Sequence, residues 1–152
     1  MKVCALTLKQ ALLSIGLLVA FVTTAFSQDL EISDDVRLGS ASFISEMVEC
    51  ATFYSIIANA QDNKGNELDS KDDFFQLSEN LLMFAFGLAE EIGMKSETVL
   101  SNAIENGKQM GEAIGFDAIN ISILTNKYGD LCKMVAEKPQ DRFSYWLLKQ
   151  VE

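Results

Sequence analysis

From Phe43 onward, apolar residues recur at helical spacing. Phe43, Met47, Cys50, Tyr54 and Ile57 follow at intervals of four, three, four and three, one face of a helix from about Ser40 to Asp62. Residues 61–70 (QDNKGNELDS) have turn composition. A second helix is predicted from about Ser70 to Ile92. Asp72 and Asp73 sit in its first turn, where acids suit the helix dipole, and Phe74, Leu77, Leu81, Ala85, Leu88 and Ile92 form its stripe. Phe75, Leu82, Phe84 and Phe86 make it apolar over more than one face, so it is expected to be central or to present a sticky surface. Gly93 suits a left-handed cap.

A third helix starts near Ser96 as N-cap, with Val99, Ala103, Met110 and Ile114 on one face. Gly107, Gly111 and Gly115 follow at intervals of four, which reads as tight packing or local weakening. Gly115-Phe116-Asp117 looks like a stop and a new N-cap. A fourth helix then runs from about Asp117 to Ala136, with Ile121, Leu124, Tyr128, Leu131, Cys132 and Val135 inward. Without that break, one helix would be about 60 Å long, which compactness disfavours. Pro139 suits the first turn of a short fifth helix anchored by Phe143, Trp146 and Leu147. No strand-like alternation occurs after residue 27. The expected fold is all-α: an up-and-down bundle of four main helices plus a short C-terminal one.

The N-terminus has another pattern. Lys2 and Lys9 precede an uncharged run, Ala11 to Val22, followed by small residues around Ala25-Phe26-Ser27. This describes a secretory signal peptide over residues 1–27; the run is too short to span a membrane. Residues 28–39 are polar and acidic and read as a flexible lead-in, leaving 40–152 as the helical domain.

Charge and cysteines then narrow the picture. The signal holds two of 12 basic and none of 22 acidic residues, so the remainder carries 10 minus 22, or −12. Such a surface argues against nucleic acid and suits basic partners. With Cys4 removed, Cys50 and Cys132 remain, 82 residues apart; export would make them a disulfide. Tyr54 lies one turn after the first cysteine and Tyr128 one turn before the second. In an antiparallel helix pair both would flank the disulfide on one side.

Catalytic signals are weak. The chain has no histidine, which removes Ser-His and Cys-His pairs and most zinc sites. No phosphate-binding or dinucleotide motif occurs. Glu46 with Glu49, and Glu90 with Glu91, read as solvent faces rather than acid pairs. Counting from Asp62, Lys64 and Gly65 break the EF-hand pattern, so an ordinary turn is preferred to an irregular calcium site at Asp62, Asn66 and Asp69. Asn120-Ile121-Ser122 matches a glycosylation sequon by spacing alone. Phe84, Phe86 and Trp146 are expected in the core, with a groove for a hydrophobic ligand or partner helix as the alternative. No catalytic, cofactor-binding or metal-binding residue is assigned.

The Cys50-x3-Tyr54 and Tyr128-x3-Cys132 frames, with the Pro139-led segment ending in Arg142-x3-Trp146, resemble small exported helical proteins of bacteria and their phages. The resemblance covers about a third of the chain; it implies an exported helical fold and no activity. The expectation is a non-enzymatic periplasmic or secreted protein binding a basic or hydrophobic protein partner, with no stable membrane insertion after signal cleavage. The alternatives are an acid- or envelope-stress chaperone-like protein, a carboxylate-dependent hydrolase, or a purely structural role in the envelope or a virion.

Overall fold

The computed structural model describes residues 32–62 and 69–150. The signal segment and the loop of the irregular calcium reading lie outside the described residues. Those described are helical, with no strand: α1 (Asp34–Asp62), α2 (Asp69–Glu91), α3 (Ser96–Ala113), a short 3-10 turn (Ala118–Asn120), α4 (Ser122–Glu137) and α5 (Pro139–Lys149).

Helix α1 starts at Asp34 rather than near Ser40, so residues 34–39 of the predicted lead-in belong to the folded domain. The Ser33 hydroxyl accepts the Val36 N–H at 3.4 Å, and Asp34 and Asp35 occupy the first turn, where the helix dipole favours acids. The segment then becomes core: Gly39 and Ser40 are buried.

The centre of the fold is α1, not α2. It touches every other α-helix, and Phe43, Ile44, Met47, Val48, Ala51, Phe53 and Ile57 supply about a third of the core cluster. Its composition alone would suit a membrane span, but more than half of that stretch is buried inside the fold. Helix α2 packs along α1 through one stripe, burying Leu81, Ala85, Ala89 and Ile92.

The helix breaks follow local chemistry. At the end of α2 the Met94 N–H donates to Ala89 O at 2.8 Å and the Gly93 N–H to Glu90 O at 3.1 Å, with Gly93 left-handed at φ 71°. The end of α3 repeats the motif: Phe116 N–H to Gly111 O at 2.8 Å, Gly115 N–H to Glu112 O at 3.0 Å, and Gly115 at φ 63°. The Asp117 carboxylate then accepts the Ile119 N–H at 2.9 Å and starts the 3-10 turn. The fourth α-helix therefore begins at Ser122, and the third at Ser96 with Lys95, not Ser96, as its N-cap. The three evenly spaced glycines serve different ends. Gly107 brings α3 near Thr52, Gly111 lies under the Phe116 ring, and Gly115 makes the cap.

Pro139 opens α5 in its first turn. Helix α5 lies against the start of α1 in the opposite direction: Phe143 meets Phe43, with ring centroids 5.5 Å apart, and Leu147 meets Gly39. A Cβ on Gly39 would come within 3.1 Å of the Leu147 Cα and the Trp146 carbonyl, so only glycine permits this approach.

Candidate functional site

The Cys50 and Cys132 sulfurs lie at disulfide-bonding distance, with Cα atoms 5.1 Å apart and both residues fully buried. The pairing joins α1 to α4. Tyr54 and Tyr128 each lie against Phe53, at ring-centroid distances of 5.3 and 6.1 Å, so both flanking tyrosines share one aromatic cluster. Tyr54 also stacks on Phe74 at 5.8 Å. Burial, with a smaller contribution from Glu137, pushes the Tyr54 phenol above its ordinary pKa. The cluster is buried, with Tyr54 and Tyr128 in the core, and Lys127 covers the Tyr128 ring at 4.7 Å from its centroid.

One turn before Cys50 lies a polar contact that the pattern of the chain hides. Glu46 is only 7 % exposed, contrary to its reading as a solvent-face acid. Its carboxylate accepts Arg142 Nε at 3.1 Å, Arg142 Nη2, and the Trp146 indole N–H at 2.8 Å. Arg142 and Trp146, one turn apart on α5, thus grip one acid on α1. A buried charge is tolerated only when paired and hydrogen-bonded, and this one is both. Arg142 also covers the Tyr145 ring, 4.4 Å from its centroid. The Arg-x3-Trp spacing was the only signal in the sequence for this clasp; nothing pointed to its acceptor.

Glu49, one turn after Ser45, is half-buried beside this clasp. Burial pushes its pKa up; Lys127 opposes the shift and Glu46 adds to it. Ser42, Ser45, Glu46, Glu49 and Trp146 line a shallow, open depression. A carboxylate pair for hydrolysis needs two acids free to exchange protons with a substrate, and Glu46 is already committed to three N–H donors. Glu90 and Glu91 are exposed, as expected of a solvent face. Among the described residues, no group of three or more Cys, Asp or Glu side chains is placed to hold a metal ion.

Large apolar side chains are exposed at several places: Ile104, Phe116, Ile119 and Leu148 on other elements, and Met83 and Phe84 side by side on α2. Phe86 and Trp146 pack against the core as expected, but Phe84 does not. Met83 and Phe84 are each 72 % exposed on the outer side of α2, since the stripe facing α1 is already filled by Leu81, Ala85 and Leu88. Exposed Gln76, Glu79, Asn80, Gly87, Glu90 and Glu91 surround them. A second apolar area, an open hollow of about 260 Å³ lined by Ile56, Ala60, Ile114 and Phe116, lies between α1 and the turn after α3.

Comparison with protein-family models, curated proteins and solved structures gives no match for this chain.

Proposed function

We propose that this is an exported, non-enzymatic binding protein: a signal peptide over residues 1–27, then an acidic up-and-down bundle of four main helices and a short fifth, engaging another macromolecule through an acidic and apolar helical surface. The observation that carries this reading is the exposure of Met83 and Phe84. A soluble domain gains nothing in stability from an aromatic ring in water, and large apolar side chains side by side on a polar helix face mark contact surfaces. The charge of −12 on residues 28–152 supports a basic partner and long-range attraction toward it. Export accounts for the pairing of Cys50 with Cys132, because thiols oxidise outside the cytosol.

The test is a crosslinked pull-down from the envelope fraction, using tagged residues 28–152 beside the Met83→Ser/Phe84→Ser variant. A partner captured by the native protein and lost with the variant, at unchanged helicity, is the expected result. Equal capture by both proteins would remove the apolar surface from the reading, and no saturable partner for either would remove the binding function.

A further inference from the structure

We infer that the outer face of α2 is a docking site for a cationic amphipathic helix, with Met83 and Phe84 as its central anchors and an acidic pair at each end. The inference rests on the binding function proposed above and specifies the partner's chemistry.

At 100° per residue, Gln76, Asn80, Met83, Gly87, Glu90 and Glu91 fall within one narrow arc of α2, and Phe84 borders it. All seven are exposed. Exposed Asp72 and Asp73 precede this arc by one turn, and Glu90 and Glu91 close it, about 27 Å further along at 1.5 Å per residue. Glu79 adds a carboxylate one turn before Met83. No basic side chain lies on this face from Asp72 onward. The pattern is acid, apolar centre, acid. Its complement is a helix of about five turns with an apolar middle and Lys or Arg toward both ends.

Gly87 is an independent observation. It sits mid-helix and exposed, and a Cβ there would meet nothing within 4 Å. Glycine at such a position costs roughly 1 kcal/mol relative to alanine, and no neighbour in the fold requires it. Its effect is on the outer surface: it leaves a notch one turn past Met83 and Phe84, where another helix can approach the backbone closely.

The same charges argue against a second copy of this chain as occupant. Both ends of the face are acidic, so self-pairing in either direction sets carboxylate against carboxylate. An anionic lipid surface is disfavoured for the same reason.

The experiment uses residues 28–152 with the disulfide intact and three fluorescein-labelled synthetic helical peptides of about five turns. One has a leucine centre and lysine ends, one replaces lysine by glutamate, and one replaces leucine by serine. Anisotropy titrations are expected to show saturable binding of the first peptide, weakened about tenfold by Met83→Ser/Phe84→Ser, which changes no charge. Raising salt from about 20 to 300 mM, or substituting Glu90→Gln/Glu91→Gln, is expected to weaken it further, while the glutamate and serine peptides do not bind. Equal binding to native protein and Met83→Ser/Phe84→Ser would show general attraction to an acidic protein and overturn the site. Sedimentation showing a dimer that Met83→Ser/Phe84→Ser dissolves would assign the face to a second copy and also overturn it. A partner captured in the pull-down through Met83 and Phe84, with no binding of the lysine-ended peptide, would overturn the cationic helix and leave the binding function standing.

Discussion

Glu46 concentrates the electrostatic demands of the fold in one side chain. Arg142→Ala leaves its carboxylate buried without its counter-ion and is expected to cost about 3 kcal/mol in chemical denaturation. Trp146→Phe removes one donor and part of the indole's packing, for a loss of about 1–2 kcal/mol. Equal effects of the two changes would mean that packing, not charge, holds α5. The neighbouring Glu49 has no such clasp. Burial raises its folded pKa, so the folded state favours its protonated form. Its contribution is fully present below the ordinary carboxylate pKa and is lost as pH rises through the raised value. Glu49→Gln is therefore expected to raise the melting temperature at pH 7 by a degree or a few, with no gain below about pH 4. A gain that persists at low pH would show that the substitution acts through packing instead.

At the scale of elements, two glycines separate what the fold needs from what its surface does. Gly87→Ala is expected to stabilise by roughly 0.5–1 kcal/mol, since helix propensity improves and nothing is met. Gly39→Ala is expected to destabilise by about 1–3 kcal/mol, because the methyl group meets the backbone of α5 and forces the two helices apart. Thermal melts of the two variants should move in opposite directions; a matching shift would mean that helix propensity governs both. Three helix ends were readable in the sequence because local chemistry marks them: Gly93 and Gly115 cap α2 and α3, and Pro139 opens α5. The restart was read too early, since Asp117 caps the 3-10 turn and α4 begins only at Ser122. The start of α1 was missed despite its local signal in Ser33, Asp34 and Asp35, because residues 34–39 carry no sustained apolar period and Gly39 is covered by Leu147 and Trp146 of α5. The choice of central helix also escaped periodicity. Both α1 and α2 are apolar beyond one stripe, and only their contacts decide which excess is covered. Phe84 looked like core for that reason, and Glu46 looked like surface because its partners lie 96 and 100 residues away.

For the whole molecule, the Cys50–Cys132 bond closes a long loop between α1 and α4. On the chain-entropy estimate a loop of this size contributes roughly 4–5 kcal/mol, a large part of a typical domain's stability. Replacing both cysteines by alanine is expected to lower the melting temperature by 15 °C or more, at about 4–8 °C per kcal/mol. Because both sulfurs are buried, millimolar reductant should leave the native protein oxidised and act only once denaturant opens it; thiol counting with and without denaturant checks this.

The separation of its partners along the chain gives the Glu46 contact a further meaning. The acid lies on α1, the helix against which every other α-helix packs, while the guanidinium and indole that neutralise it lie on α5, 96 and 100 residues further along. Without α5, the longest helix would carry at its buried face a carboxylate with no counter-ion. Deleting residues 139–149 is therefore expected to lower the melting temperature further than Arg142→Ala does, because it uncovers the start of α1 as well as the charge; an equal drop would show that the ion pair is all that α5 contributes.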